Sequence, residues 1–163
     1  VPNEDGHGIR WFTPRFEIAL AGHPTLTAAW LILNKLTPDA SEVRFTSKDG
    51  EVLTVIQDAE NLMMDFPAVP GKPVDDIEAV AEALGSRPET YLTARDGMAV
   101  FSDQVAVAKL QPDMQKVGAL DPMGIIATAP GGDCDFVSRF FAPKAGIPED
   151  PVTGSAHCTL IPY

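Results

Sequence analysis

Two short segments of the sequence carry residue types that could bind an anion and move a proton. The later segment, residues 149–158, reads Glu-Asp-Pro-Val-Thr-Gly-Ser-Ala-His-Cys. Its Thr-Gly-Ser turn precedes an apolar run, which is the pattern of a helix N-terminus. Such a start presents unpaired backbone N–H groups and the positive end of the helix dipole, so it favours an anion. We therefore interpret Asp150, the carboxylate beside this turn, as a substrate contact.

The earlier segment has the same order of residue types. Residues 10–14 read Arg-Trp-Phe-Thr-Pro and residues 139–143 read Arg-Phe-Phe-Ala-Pro. Each is followed by a glycine-containing turn and an apolar run. The copies lie about 130 residues apart, well beyond the roughly 20–50-residue period of a solenoid. We therefore predict a duplicated domain, in which each half has a strand that leads to the N-terminus of a buried helix.

Composition limits the classes of partner. The 163 residues suffice for one domain or two small ones, and 45% of them are hydrophobic, which is enough for a core. The net charge of −11 argues against nucleic acid or an anionic membrane as a partner. No apolar run reaches the ~18–20 residues that span a bilayer. Two cysteines, Cys134 and Cys158, have no metal-type spacing, which favours a reduced, cytoplasmic setting and no metal site.

Periodicity and turn residues predict an α+β fold. In the first half, strands are predicted over residues 8–13, 16–20, 42–47, 51–57 and 61–66. Pro14 is expected to end the first of them. Residues 26–36 are apolar nearly all round, which indicates a buried helix.

A proline-rich linker separates the halves, so we place the domain boundary there and divide the chain into residues 1–70 and 71–163. In the second half, helices are predicted over 77–84 and 112–120, and strands over 90–94, 98–109, 124–129 and 134–141. The sequence shows no βαβ rhythm and no glycine-rich dinucleotide or phosphate fingerprint.

These segments resemble the PhzF-like family of phenazine-biosynthesis proteins, which has the diaminopimelate epimerase fold. The resemblance rests on residues 10–14 with 22–26, and on the longer segments 135–143 and 149–157. It implies two pseudo-symmetric domains, each a sheet wrapped around a central helix, with the active site in the cleft between them. It also implies an isomerase that needs no cofactor, moves a proton on a small carboxylate-bearing substrate, and forms a homodimer.

The resemblance also implies roles for individual residues. His23 and Asp150 match residues that contact the substrate or assist proton transfer. Five further residues match the turns that bind the substrate: Gly22, Pro24, Thr153, Gly154 and Ser155. The family's principal acid/base is a glutamate in a segment that would precede Val1, and another family segment would follow Tyr163. We therefore expect the first domain to lack its N-terminal part and the second its C-terminal part.

Plainer structural roles remain open for the same residues. Asp150 could be a helix cap or a turn acid, and His23 could be a cap or a core histidine. Ser155 could cap a helix as well as bind a ligand. Cys158 is expected to pack in the core. Arg10 and Arg139 are expected to pair with acids or to support the repeated strands.

Two other functions remain as hypotheses. The expected absence of the catalytic glutamate favours a catalytically silent binding or scaffold protein on the same fold. A racemase of amino or hydroxy acids would need a cysteine at each helix start. Here Ala21 precedes Gly22 and Val152 precedes Thr153 and Gly154, so neither predicted helix start has a cysteine.

Overall fold

The structure is a computed structural model that describes residues 2–3, 6–13 and 16–163. The predicted strand break at Pro14 lies outside these residues. The chain divides into two compact units, one formed by Val1–Pro67 with Thr153–Ser155 and the other by Ala68–Val152 with Ala156–Tyr163. Within the described ranges, no helix combines the length and apolar character that a membrane crossing requires.

The first unit is built on one larger sheet and one small hairpin. Its elements in chain order are β1 (Pro2–Asn3), β2 (Gly6–Gly8), β3 (Trp11–Phe12), β4 (Glu17–Ile18), α1 (Gly22–Leu31), β5 (Glu42–Thr46), β6 (Val52–Asp58) and β7 (Asn61–Met64). The larger sheet has the order β1-β2-β5-β6-β7, while β3 and β4 pair with each other. Alternation along β5 and β6 buries Val43, Phe45, Leu53 and Val55, so one face of this sheet forms the core of the unit.

Helix α1 continues as a π-helical turn over Ile32–Leu36 and packs on β7. The prediction that residues 26–36 are buried all round is wrong for the described part of the chain. Thr25, Ala29 and Leu33 are buried at four-residue spacing, whereas Trp30 and Leu31 are each 49% exposed. The reason is geometric, because the described sheet covers only one side of the helix.

The second unit has a six-stranded sheet. Its elements in chain order are β8 (Lys72–Pro73), α2 (Glu78–Leu84), β9 (Thr90–Thr93), β10 (Gly97–Val100), α3 (Gln104–Lys109), α4 (Met114–Ala119), β11 (Ile125–Pro130), β12 (Phe136–Ala142), β13 (Ile147–Asp150) and α5 (His157–Leu160). The strand order is β13-β12-β11-β10-β9-β8. Short 3₁₀ turns lie at Pro143–Ala145 and Gly154–Ala156.

Apolar side chains cover both faces of this second sheet. On one face, α2, α3 and α4 contribute Leu84, Val107 and Val117 to a core that includes Phe141 of β12. On the other face, Leu160 of α5 belongs to a second cluster, against which Phe140 packs. Neighbouring residues of β12 therefore point to opposite cores, as the pleat requires.

The strand predicted over residues 98–109 is wrong beyond Val100. Asp103 ends the extended segment because its Oδ1 accepts a hydrogen bond from the Ala106 N–H at 2.8 Å, which caps α3. The two valines that follow favour a strand, but the alanines between them favour a helix, and burial of Val107 under the sheet stabilises the helix.

The expected absence of a βαβ rhythm is also wrong. Strands β2 and β5 are parallel and are connected through α1. Strands β10 and β11 are parallel and are connected through α3 and α4. Among the described residues, each unit therefore combines a parallel pair of strands with antiparallel ladders.

Candidate functional site

The two glycine turns meet within the first unit. A Cβ atom built on Gly22 would lie 2.9 Å from the Cα atom of Gly154, and one built on Gly154 would lie 2.8 Å from the Cα atom of Gly22. Real Cβ contacts are essentially never shorter than 3.0 Å. Neither position therefore accepts a side chain unless the backbone moves. The structure thus brings together two of the residues predicted to bind the substrate.

Helix α1 begins at Gly22 without a side-chain cap. Its N-cap residue, Ala21, is extended at φ −140° and ψ 118° and provides no side-chain acceptor, and the first turn of the helix contains no acid. Pro24 lies in that first turn, and its missing N–H costs no helical hydrogen bond there. The backbone N–H groups and the positive dipole end of α1 are therefore not neutralised by an acidic side chain of its first turn.

His23 is the second residue of α1, and its side chain is exposed. Its carbonyl oxygen accepts a hydrogen bond from the Thr27 hydroxyl at 2.9 Å. The ring is therefore not part of the apolar core, in contrast to the structural alternative considered for it.

A buried chain of hydrogen bonds connects β3 to the start of α1. The Trp11 indole N–H donates to Thr25 Oγ1 at 2.9 Å, and the Thr25 hydroxyl donates to the Ala21 carbonyl at 2.7 Å. Thr25 is completely buried and Trp11 is 5% exposed. The sequence analysis assigned neither Trp11 nor Thr25 to a polar contact. The available signal was the rule that a buried indole N–H requires an acceptor.

Asp150 ends β13 and lies directly opposite Phe140 of β12. Its Oδ1 accepts a hydrogen bond from the Val152 N–H at 3.2 Å, which is the turn-acid role named as an alternative. Residues directly opposite in a ladder share a face of the sheet. Asp150 therefore lies on the same face as Phe140, the face that carries α5. Its role in proton transfer stays a prediction.

The segment after Asp150 differs in part from the prediction. Gly154 opens a 3₁₀ turn that leads into α5, but the N-cap position of α5 is Ala156, so Ser155 is not its cap. Ser155 is 8% exposed, and Cys158 is 4% exposed and packs in the core as predicted. Thr153 groups with Gly154 and Ser155 in the first unit. Their role in substrate binding stays a prediction.

The two repeated arginines make matched contacts. Nε and one terminal nitrogen of Arg10 donate to the two carboxylate oxygens of Glu17 at 2.8 Å each, and Arg139 forms the same two contacts with Glu149 at 2.8 Å. The expected pairing with acids is confirmed. Each pairing lowers the pKa of the glutamate, chiefly through the hydrogen bonds from its arginine.

Each arginine also lies over a ring two residues further along the chain. Arg10 is 5.0 Å from the ring centre of Phe12, and Arg139 is 4.9 Å from that of Phe141. The internal repeat seen in the sequence is thus a repeat of contacts as well as of residue types.

In the part of the chain that the structure describes, no three histidine, cysteine or acidic side chains are grouped closely enough to hold a metal ion.

The chain is similar to known proteins over its whole length. Residues 3–163 match the family model described as phenazine biosynthesis-like protein. An uncharacterized isomerase of Pseudomonas aeruginosa is 41% identical over 164 residues, which cover 100% of this chain and 63% of that protein. A second uncharacterized isomerase of the same organism is 44% identical over 156 residues, which cover 95% of this chain and 59% of that protein.

Structural comparison gives the same result. A crystal structure of a PhzF-family phenazine biosynthesis protein from Enterococcus faecalis matches with a TM-score of 0.92 at 40% identity, covering 100% of this chain and 63% of that one. This match confirms the predicted α+β fold of the diaminopimelate epimerase type. The chain spans less than two thirds of the length of these relatives. By sequence and by structure, it belongs to the PhzC–PhzF family of phenazine biosynthesis-like proteins.

Proposed function

We propose that these residues belong to a cofactor-independent isomerase that moves a proton on a small carboxylic acid. The relatives that are named isomerases support the reaction class. In such a reaction a proton leaves one carbon of the substrate and a proton is returned to a carbon of the same molecule, so no co-reactant is consumed. The enzyme must hold the carboxylate, stabilise the developing negative charge and supply an acid or base within reach.

The observation that carries the proposal is the close approach of Gly22 and Gly154. Because neither residue carries a side chain, the two turns lie next to each other, and backbone groups of both turns can contact one small anion at their edge. The uncapped start of α1 adds N–H donors and a positive dipole end beside them. In this proposal the turns formed by Gly22 with Pro24, and by Thr153 with Gly154 and Ser155, bind the carboxylate.

We assign His23 and Asp150 to the proton-transfer step. Both follow from the family motif, and each lies next to a glycine turn in sequence. We propose that they orient the substrate and assist the transfer. The principal acid/base in this proposal is the glutamate that the resemblance places in another segment of the family.

The test is solvent exchange catalysed by the full protein that contains these residues. A panel of small carboxylic acids with an acidic C–H bond is incubated in D₂O, and deuterium incorporation is followed by NMR. Asp150→Asn and His23→Ala should each lower the exchange rate by about 10²–10⁴-fold, the usual size of an acid/base contribution. Asp39→Asn, which changes an exposed acid of a loop, is the matched control and should exchange like the unmodified protein.

The catalytically silent alternative predicts a different result. It predicts that benzoate, used as a carboxylate probe, shifts the amide NMR signals of Gly22 and Gly154 while no acid in the panel exchanges. Exchange that survives both site variants would overturn the assignment of His23 and Asp150. Unshifted glycine signals would overturn the carboxylate site.

A further inference from the structure

We infer that Arg139 and Glu149 are positioning residues for Asp150, and that Arg10 and Glu17 have the equivalent role at the start of α1. The inference deepens the proposed function and rests on it, because it says how the candidate proton-transfer residues are held in place. We define a clamp as the arginine, the glutamate that it binds through two hydrogen bonds and the ring beneath it.

In the second unit, all three nitrogen atoms of the Arg139 guanidinium group donate hydrogen bonds. Nε and one terminal nitrogen bind Glu149, while the other terminal nitrogen donates to the carbonyls of Val107 at 3.1 Å and Leu110 at 3.0 Å. These carbonyls lie at the C-terminal end of α3, and that of Val107 also accepts a hydrogen bond from the Leu110 N–H at 3.3 Å. The planar group therefore connects β12, β13 and α3 while making two parallel hydrogen bonds to Glu149, a geometry that a lysine ammonium group cannot reproduce.

The pleat of β13 connects this clamp to Asp150. Glu149 and Asp150 are neighbours in one strand, so their side chains point to opposite faces of the sheet. The clamp holds Glu149 on the face that carries α3. Asp150 is thereby directed to the face that carries α5, opposite Phe140. Rotation of β13, or a shift of its pairing, would move both side chains at once.

The first unit repeats this arrangement. Arg10, Phe12 and Glu17 lie together on the exposed side of the β3–β4 hairpin. Trp11, on the opposite side, is buried and donates to Thr25, whose hydroxyl binds the carbonyl at the start of α1. The clamp on one face therefore fixes the contact on the other face that holds the helix start. Each clamp glutamate, Glu17 or Glu149, lies five residues before its turn glycine in the sequence.

The two clamps differ in exposure. The side chain of Arg139 is 26% exposed and that of Arg10 is 57% exposed. The glutamates differ in the opposite sense, since the side chain of Glu149 is 39% exposed and that of Glu17 is 22% exposed. Because Arg139 also binds the Val107 and Leu110 carbonyls, we expect its loss to lower the melting temperature more than the loss of Arg10.

The experiment measures the orientation of Asp150 directly, in the full protein. Three-bond NMR couplings from the Asp150 backbone to its carboxyl carbon report whether its χ1 angle occupies one rotamer or several. We expect couplings of one rotamer in the unmodified protein and averaged couplings in Arg139→Lys and in Glu149→Gln. The matched control is Arg87→Lys, which alters the exposed Arg87–Glu78 pair of the same unit and should leave the couplings unchanged.

Kinetics give the second readout. For an acid that exchanges in D₂O, Arg139→Lys should lower kcat about tenfold with little change in KM, because misplacement of the reacting group affects the chemical step. A merely structural role would lower the melting temperature without averaging the Asp150 rotamer. Glu149→Gln keeps the size of the side chain and serves as the second variant if Arg139→Lys does not fold.

The outcomes separate the two proposals. Single-rotamer couplings in both clamp variants, or averaged couplings in the unmodified protein, would overturn the positioning inference whatever the activity. Averaged couplings in the variants, together with full exchange activity in Asp150→Asn, would support the clamp as a positioning device but overturn the proposed role of Asp150.

Discussion

Gly22 and Gly154 approach so closely that a Cβ atom on either one would lie less than 3.0 Å from the Cα atom of the other. Both residues lie in the first unit, although one comes early and the other late in the chain. Close backbone approach of this kind excludes even a methyl group. It also explains why glycine occurs at the same point of both copies of the internal repeat.

Gly154→Ala should therefore destabilise the protein. A methyl group 2.8 Å from the Cα atom of Gly22 cannot be relieved by a side-chain rotation, so the backbone must move. We expect a loss of about 1–3 kcal/mol in the free energy of unfolding, the range for overpacking. Urea denaturation monitored by circular dichroism measures this loss.

Gly118→Ala is the control for this substitution. The nearest atom to its new Cβ would be 3.7 Å away, and the residue lies within α4, where alanine is favoured by about 0.5–1 kcal/mol. Equal stabilities of Gly154→Ala and the unmodified protein would contradict the close approach.

Thr25→Val should show whether the buried hydrogen-bond chain holds the start of α1. Valine keeps the shape of threonine but leaves the indole N–H of Trp11 buried without an acceptor. Leaving such a group unsatisfied costs about 1–3 kcal/mol. Denaturation monitored by tryptophan fluorescence gives the value. Thr27→Val, at an exposed position of the same helix, is the control and should change stability by less than about 0.5 kcal/mol.

The internal repeat could be predicted from the sequence alone. The order arginine, aromatic, phenylalanine and proline predicted two related halves, and the contacts of Arg10 and Arg139 reproduce each other closely. The likeness was visible because it depends on residue types at fixed local spacing. The glycine at each turn was visible for the same reason.

Features that depend on distant contacts were not visible. The parallel pairing of β10 with β11 depends on a connection of two helices, one of which was predicted as strand. In residues 105–109 the valines favour a strand and the alanines favour a helix, so local propensity does not settle the structure. Burial of Val107 against the sheet, together with the cap from Asp103, stabilises the helix. The partner of Trp11 is fourteen residues away, and no pattern identifies Thr25 before the fold is known.

Asp96 should make the protein less stable as the pH rises. It is 3% exposed, and burial raises its pKa above the ordinary value of 3.8, although Arg95 and a hydrogen bond from the Gly124 backbone act in the opposite direction. Folding therefore favours the protonated form. The contribution of this group is most favourable below pH 3.8 and is lost as the pH rises through the folded-state value.

Asp96→Asn should accordingly raise the melting temperature at pH 7 relative to the unmodified protein. The melting temperatures of the two proteins should become more similar as the pH falls towards 3.8, because the aspartate is then increasingly neutral in both the folded and the unfolded states. Thermal melts across this range measure the difference. A difference that does not depend on pH would show that lost packing or lost hydrogen bonding, rather than burial of a charge, controls the effect.

Glu149 should have the opposite pH dependence. Hydrogen bonds from Arg139 lower its pKa below the ordinary value of 4.5, so its stabilising contribution is present above that pH and is lost as the pH falls through the lower, folded-state value. Because its side chain is 39% exposed, we expect Glu149→Gln to cost no more than about 1 kcal/mol at pH 7. Urea denaturation at pH 7 and at successively lower pH should show this cost shrinking with acidity. A cost that instead grows on acidification would contradict the pairing with Arg139 as its source.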